Sequence, residues 1–226
     1  MKKINRFERK WILRNGNYLM LINSLLRSNF FFKFQYPKRK VNSIYFDNSG
    51  YSSIKENLDG ISNKKKIRLR WYGDQNKLIK PILEIKSKKG SETRKESLTL
   101  NKLDNMNYLT SGNLKIIVEE VNRLINLKKI IFPVLTTHYE RQYFVSNQNN
   151  IRATVDTNLE SIFLKNLSEL NQKKKFSPQC ILELKYSTKI DRLVRYKLDQ
   201  MSLRLSKNSK YINSFFQREY YLVWTY

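Results

Sequence analysis

Arginine and lysine side chains alternate with apolar residues along several stretches of this sequence. Over residues 66–73 the alternation is strict, so a strand there carries Arg68 and Arg70 on one face and apolar residues on the other. Residues 82–88 repeat the pattern, with Glu84 on the charged face. Guanidinium groups bind phosphate or carboxylate through two parallel hydrogen bonds, and ammonium groups add positive charge. The two stretches therefore predict a cationic surface that can bind an anion.

Further stretches have the same strand character. They are residues 5–13, 41–47, 91–98, 137–145, 151–157 and 180–186. The turn before residues 91–98 contains Gly90, which favours a hairpin with the strand over residues 82–88. The side chains grouped by alternation on the polar faces of the first strand and the last three include Glu8, Lys10, Tyr139, Arg141, Arg152, Glu183 and Lys185.

Apolar residues at helical spacing predict the elements that must support these strands. Amphipathic helices are expected over residues 18–26, about 49–58 and 191–205, and two more between residues 101 and 128. Gly60 stands where a helix C-terminus favours a residue with positive φ. Residues 37–40 are predicted to form a basic turn, and residues 209–226 are compatible with strand or helix.

Composition limits the possible classes of protein. The 226 residues contain 40% hydrophobic residues and no Pro/Gly/Ser-rich linker, which predicts one folded domain over residues 1–226. The net charge of +25 favours a polyanionic partner. No apolar run resembles a membrane span or signal peptide, so we expect a cytoplasmic protein. Cys180 and His138 are single, which argues against a zinc site or a histidine-based triad.

The direction of the charged faces decides between two structures. In an open antiparallel sheet the charges, including those of Arg68, Arg70, Arg141 and Arg152, would simply face water. The amphipathic helices favour a second arrangement, because the apolar face of the sheet is the only large surface that they can cover. We therefore predict an α+β fold, a closed antiparallel β-barrel with helices on its outer face. Its cationic lumen must be wet and hold an anion, because unmatched buried charge is costly.

Eight short motifs occur in an order that is typical of one family. Seven of them are residues 6–10, 43–47, 66–73, 83–86, 139–141, 152–157 and 182–186, and the eighth is residues 209–211. With them the sequence resembles the vacuolar transporter chaperone (VTC) domain, the polyphosphate polymerase branch of the CYTH-like triphosphate tunnel enzymes. The resemblance extends from about residue 3 to about residue 213.

This resemblance implies an enzyme that transfers the γ-phosphoryl group of ATP to a growing inorganic polyphosphate chain with Mn2+ or Mg2+. It implies that the catalytic, phosphate-binding residues are Lys10, Arg68, Arg70, Lys86, Arg141, Arg152 and Lys210. Further substrate-binding candidates are Tyr139, Lys88, Lys185, and Arg94 or Lys95, whose register is open. Glu183, and with it Glu8, would hold the metal, although Glu8 and Glu84 equally suit salt bridges that orient neighbouring cations.

Two other functions remain open at this point. The hydrolytic triphosphatases of the wider superfamily begin with Glu-x-Glu-x-Lys, whereas this chain has Arg6-x-Glu8-x-Lys10, which counts against a metal-dependent tripolyphosphatase without excluding it. A non-catalytic module that binds polyphosphate or nucleic acid would use the same basic surface, although we expect no specific nucleic acid partner. Any attachment to a membrane is expected through a separate protein.

Overall fold

The structure is a computed structural model that describes residues 6–14, 17–90, 92–108, 110–127, 129–146, 151–164, 175–177, 179–199, 205–206 and 208–217. The strands are β1 (Arg6–Arg14), β2 (Phe32–Asp47), β3 (Lys64–Tyr72), β4 (Ile82–Lys89), β5 (Glu92–Thr99), β6 (Phe132–Ser146), β7 (Arg152–Phe163), β8 (Lys175–Ser177) and β9 (Gln179–Ser187). The α-helices are α1 (Tyr18–Arg27), α2 (Ser52–Leu58), α3 (Ser111–Ile125), α4 (Asp191–Asp199) and α5 (Lys210–Phe216). Short 3-10 helices cover Asn101–Leu103 and Thr188–Ile190.

The strands form one sheet in the order β1-β9-β7-β6-β2-β3-β4-β5, and β8 pairs with β7. The ladders β1–β9, β2–β3, β3–β4, β4–β5 and β7–β9 are antiparallel. The α+β class is therefore confirmed. The prediction of a closed barrel is wrong, because β1 and β5 end the strand order and do not pair with each other in the described part of the chain. Alternation in a sequence fixes the faces of a strand but not whether the two outermost strands meet.

The chain divides into two compact units. The first comprises the described residues within Met1–Arg39, Tyr139–Leu159 and Phe176–Ser209, and the second those within Lys40–His138, Glu160–Lys175 and Lys210–Tyr226. Strands β2, β6 and β7 each contribute residues to both units. That residues 1–226 act as a single domain stays a prediction.

The core of the first unit lies between α1 and the apolar face of the strands. Leu21, Ile22 and Leu25 of α1 are buried there, as the helical spacing predicts. They pack in one cluster with Trp11 of β1 and Leu184 of β9. These two strand residues stand at positions that alternate with the charged ones, so the helix covers the apolar face and leaves the charged face uncovered by it.

The second unit repeats this arrangement with α3. The Thr110 side chain caps the helix by accepting a hydrogen bond of 3.3 Å from the Asn113 backbone N–H. Buried Ile117 and Val121 of α3 pack in one cluster with Leu69 of β3 and Leu83 of β4. The helices predicted to cover the apolar face of the strands do so in each unit.

Several predicted boundaries change. Strand β2 starts at Phe32 and runs through residues 37–40, so the predicted basic turn is wrong. Pro37 cannot donate a backbone hydrogen bond. Strand β3 pairs only with Val41–Phe46 of β2, so Pro37 lies outside this ladder and the ladder loses no hydrogen bond to it. Helix α4 covers Asp191–Asp199 of the helix predicted over residues 191–205, residues 200–204 lie outside the described residues, and Leu205 forms an antiparallel bridge to Trp11.

Other expectations hold or become definite. Gly60 has φ +68° just after α2, as its position predicted. Part of the segment left open becomes helix α5, while residues 218–226 lie outside the described residues. None of the helices in the described residues has the length and apolar character needed to cross a bilayer.

A matched pair of substitutions in α1 tests the core of the first unit. Leu25 is fully buried, whereas Leu19 is 70% exposed on the same helix. We expect Leu25→Ala to lower the free energy of unfolding by about 2–5 kcal/mol, because it removes buried contacts and leaves a cavity. Leu19→Ala should change it by less than about 0.5 kcal/mol. Urea denaturation of both variants measures the difference, and equal losses would contradict the packing of α1.

Candidate functional site

The polar face of the first unit is assembled by strand register. Lys10 of β1 is opposite Glu183 of β9, and Glu8 is opposite Lys185. The Lys10 Nζ lies 2.9 Å from a Glu8 carboxylate oxygen and 3.5 Å from Glu183, and the Lys185 Nζ lies 2.8 Å from Glu183. Arg152 of β7 is the residue opposite Lys185 on its other side. Five of the predicted site residues therefore share one face.

The charges in this cluster stabilise one another. Burial disfavours the charge of Glu183, but Lys185, Lys10 and Arg141 outweigh it and hold the Glu183 pKa well below its usual value. Burial likewise opposes the charge of Lys10, yet Glu183 and Glu8 raise the Lys10 pKa above its ordinary value. At neutral pH Glu183 is thus a charged carboxylate and Lys10 a charged ammonium group.

Arg141 of β6 is held by a carboxylate that sequence reasoning gave no role. Its Nε and Nη2 donate hydrogen bonds of 2.6 and 2.7 Å to the two carboxylate oxygens of buried Asp156. The guanidinium also lies over the Tyr139 ring, 5.3 Å from its centroid. Burial opposes the charge of Arg141, but Asp156 above all holds its pKa well above the ordinary value. Asp156 stands four residues after Arg152 and so lies on the same face of an alternating strand, which was the available signal.

The polar face of the second unit is centred on Glu84. Its carboxylate lies 2.6 Å from Arg68, 2.6 Å from Lys95 and 3.7 Å from Arg70. Burial disfavours its charge, but the charges of Arg68 and Arg70 with the Lys95 hydrogen bond lower the Glu84 pKa to about 2. These contacts favour the orienting role for Glu84 over the metal-binding role.

Helix α5 adds a part of the second unit that sequence reasoning missed. The buried Tyr211 ring stacks on Tyr45 with 4.9 Å between centroids, and its hydroxyl donates a 3.0 Å hydrogen bond to Asp47. Burial disfavours ionisation of Tyr45, but Arg68 and Arg70 lower its pKa below the usual value, with a smaller effect from Lys210. The Tyr45–Tyr211 stack therefore anchors Lys210 in the same charged environment as Arg68.

The remaining candidates of the second unit separate by face. Lys86 is opposite Lys95, and Lys88 is opposite Lys64, on the Glu84 face. Arg94 points to the other face, where it pairs with Glu96 at 3.2 Å. The structure therefore brings Lys95 to the cluster and leaves Arg94 outside it. Arg68 and Arg70 belong to the second unit and Arg141 and Arg152 to the first, and that these four share one lumen stays a prediction.

The single histidine and cysteine stand apart from these clusters. The His138 ring is buried and hydrogen-bonded to Asn42 and Thr136. Cys180 is buried in the core of the first unit, where burial, with a smaller effect from Asp156, raises its pKa to about 12. A thiol with that pKa stays protonated and unreactive near neutral pH. Neither side chain is arranged as a nucleophile.

The carboxylates of the first unit are compatible with a hard divalent cation. Glu8 and Glu183 share Lys10 and Lys185 as partners, which brings two carboxylates close together. Mg2+ typically uses one or two carboxylates and completes its coordination with substrate phosphates and water. No group of three or more His, Cys, Asp or Glu side chains within the described ranges is arranged for a metal. The pair therefore fits Mg2+ or Mn2+ only in company with oxygens of a bound phosphate.

Two solved structures share this fold. A candidate adenylate cyclase from Bacillus halodurans is 15% identical with a TM-score of 0.56, covering 96% of this chain and 100% of its own. A second candidate adenylate cyclase, from Vibrio parahaemolyticus, is 14% identical with a TM-score of 0.52, covering 95% and 99%. At these low identities the similarity concerns the fold alone.

The sequence itself identifies the family. A family model for the VTC domain matches residues 5–217, so the chain belongs to the VTC domain family. The resemblance stated from the eight motifs is confirmed, and it includes strands of both units. A comparison with curated proteins gave no match.

The depressed pKa of Glu84 predicts a pH dependence of stability. Because the folded pKa lies below the unfolded one, the stabilisation is fully present above about pH 4.5 and is lost as the pH falls toward 2. We expect the stability advantage of the wild type over Glu84→Gln to shrink by about 2 kcal/mol between about pH 5 and pH 3. Urea denaturation at several pH values measures this. Glu119→Gln, on the exposed part of α3, should show no comparable trend, and parallel curves for both variants would refute the assignment.

The anchoring of α5 can be tested by removing one hydroxyl group. Tyr211→Phe keeps the ring on Tyr45 but deprives buried Asp47 of a donor, so we expect a loss of about 1–3 kcal/mol in the free energy of unfolding. Tyr196→Phe on α4, where the ring is 69% exposed, is the matched control and should have little effect. Indistinguishable unfolding curves for the two variants would show that the hydrogen bond does not hold the helix.

Proposed function

We propose that this protein is a polyphosphate polymerase-like phosphotransferase, which moves the γ-phosphoryl group of ATP to the end of an inorganic polyphosphate chain. The observation that carries the proposal is the cluster of Lys10, Lys185, Glu8 and Glu183, where cations and carboxylates lie side by side in a VTC-domain chain. Such a cluster suits a metal–phosphate substrate. ATP and inorganic polyphosphate are the proposed substrates, and any contact with a membrane is proposed to occur through a separate protein.

The proposed reaction needs positioning more than covalent help. An oxygen of the terminal phosphate attacks the γ-phosphorus of ATP, the bond to the β–γ bridging oxygen breaks, and ADP leaves with that oxygen's charge. The attacking oxygen is already anionic, so no side chain has to remove a proton from it. This agrees with His138 and Cys180 being held in buried, unreactive settings.

Lys10, Lys185, Arg141 and Arg152 are proposed to bind phosphate oxygens and keep the reacting groups in line. Asp156 fixes the plane of the Arg141 guanidinium, so the donors of that group are oriented before substrate arrives. Glu183 and Glu8 are proposed to hold Mg2+ or Mn2+, which would offset negative charge on the phosphates. In the second unit, Arg68, Arg70, Lys86, Lys95 and Lys210 are proposed as further phosphate ligands.

Transfer is favoured over hydrolysis by the charge at the start of β1. Arg6 precedes Glu8 and Lys10 on the same face of the strand and is exposed, opposite Ser187. A hydrolase would benefit from an additional carboxylate there to bind a metal and activate water. A guanidinium instead attracts phosphate, which suits a second phosphorylated substrate better than a water molecule.

The test is incubation of the purified chain with ATP and Mn2+ or Mg2+. We expect ADP and acid-labile phosphate chains. Arg152→Ala should lower the rate by at least about 100-fold, because it removes a cation from the transferring group. Arg152 is exposed on the polar face, so its loss should leave thermal stability nearly unchanged.

Arg94→Ala is the matched control, because it removes the same charge from a position outside the polar faces. Arg94 lies on the face of β5 that points away from Glu84. Its rate should stay close to that of the wild type. Release of free phosphate from ATP or tripolyphosphate, without polymer, would replace the proposal by a tripolyphosphatase. A folded protein without any turnover would mean a binding module.

A further inference from the structure

The first unit carries an aromatic group near its cations that the proposed function leaves without a role. Tyr143 follows Arg141 by two residues on β6, so both side chains lie on the same face of that strand. The Tyr36 ring of β2 meets the Tyr143 ring edge to face, with 5.7 Å between the centroids. The Arg39 guanidinium lies over both rings, 5.1 Å from the Tyr36 centroid and 5.7 Å from the Tyr143 centroid. We call Tyr36, Arg39 and Tyr143 the Tyr–Arg group, and all three belong to the first unit.

Core packing does not account for the Tyr–Arg group. Tyr36 is 48% exposed and Arg39 is exposed as well, while Tyr143 is half-buried. A tyrosine with a structural role in the same unit has a different setting, because the Tyr186 ring is buried and its hydroxyl donates a 2.7 Å hydrogen bond to Asp191. The Tyr–Arg group instead presents planar side chains to water.

Exposed planar side chains are suited to stacking with a nucleobase. Bases stack on tyrosine rings and on guanidinium planes, because every base has a flat π surface. The contacts with the two rings hold the Arg39 guanidinium in place, so a base would meet a surface that is already oriented. Inorganic polyphosphate has no flat ring and gains nothing from such a surface. The chemistry of the group therefore favours a nucleotide.

The position of the group relative to the proposed phosphate ligands also suits a nucleotide. Two residues of extended strand rise about 7 Å, which is the separation of Tyr143 from Arg141 along β6. In ATP the ribose and two phosphates separate the base from the γ-phosphoryl group, and they span a distance of the same order. A nucleotide with its phosphates at Arg141 can therefore reach the Tyr–Arg group with its base.

We propose that the Tyr–Arg group binds the adenine base of ATP and so distinguishes the nucleotide donor from the polyphosphate acceptor. The inference rests on the proposed function, since it names a site for the part of the donor that the phosphate ligands leave unbound. It places the donor at the Arg141 end of the polar face of the first unit. Because stacking tolerates any base, GTP should bind nearly as tightly as ATP, whereas tripolyphosphate binding should not depend on the group.

The experiment measures the affinities of ATP and of tripolyphosphate for the full chain by calorimetric titration in the presence of Mg2+. Tyr36→Ala should weaken ATP binding about tenfold, because it removes a stacking surface. Its tripolyphosphate affinity should stay close to that of the wild type. Tyr36→Phe keeps the ring and should retain the ATP affinity of the wild type. Since the Tyr36 ring is about half exposed, neither substitution should prevent folding.

Two further variants separate stacking from charge and from unspecific effects. Arg39→Lys keeps the positive charge but loses the planar guanidinium, so ATP binding should weaken while tripolyphosphate binding is retained. Tyr196→Ala on α4 removes a ring that is 69% exposed and lies outside the Tyr–Arg group, and it should leave both affinities unchanged. In the polymer assay, Tyr36→Ala should raise the KM for ATP with little change in kcat, because the base is held equally in the ground state and the transition state.

The outcomes separate this inference from the proposed function. ATP binding that is unchanged in Tyr36→Ala, or that falls together with tripolyphosphate binding, would overturn the base subsite, while polymer formation would still support the polymerase. A selective loss of ATP binding without any polymer would support the subsite and remove the polymerase. A single-stranded oligonucleotide that binds more tightly than ATP, and loses affinity in Tyr36→Ala, would overturn ATP as the occupant.

Discussion

The structure depends on how a few buried carboxylates hold cations in a chain with a net charge of +25. Glu84 in the second unit and Glu183 in the first each contact several cations, and both have a pKa below the ordinary value because those cations outweigh burial. Removing either carboxylate would leave the neighbouring cations with less counter-charge. Each carboxylate thus fixes the directions of its neighbours while leaving an excess of positive charge on the face.

Strand register places these carboxylates and cations together on one face of the strands. Lys10 meets Glu183 and Arg68 meets Glu84 because antiparallel pairing sets these residues opposite each other, and the alternating residues then face α1 or α3. Helix α5 is an exception to this separation of charged and apolar residues, since its Tyr211 stacks on Tyr45 beside the cations. Two aromatic rings can lie there because the phenol hydroxyls have polar partners, Asp47 for Tyr211 and Arg68 for Tyr45.

The sequence predicted most of the strands, the helices that cover them and the polar faces, because alternation and helical spacing are local properties. The VTC motifs also predicted the family. The features that the sequence could not predict depend on tertiary contacts. Whether Arg94 or Lys95 joins Glu84 is decided by the register of β5, and a shift of one residue would exchange them. Whether the sheet closes depends on pairing between its two edge strands, and no local sequence pattern predicts that pairing. Asp156, Tyr45 and Tyr211 gain their roles from partners elsewhere in the chain.

The two polar faces differ in the balance of their charges, and the difference matches two separate requirements of the proposed reaction. In the first unit Glu8, Glu183 and Asp156 offset most of the charge of Lys10, Lys185 and Arg141, so the face gains fixed geometry more than net charge. Phosphoryl transfer requires such geometry, because the reacting groups must lie in line. In the second unit Glu84 contacts Arg68, Arg70 and Lys95, and on its face of β3–β5 flexible lysines outnumber planar guanidinium groups. Retaining a long, uniform polyanion needs net charge rather than fixed directions, since each phosphate along the chain is equivalent to the next.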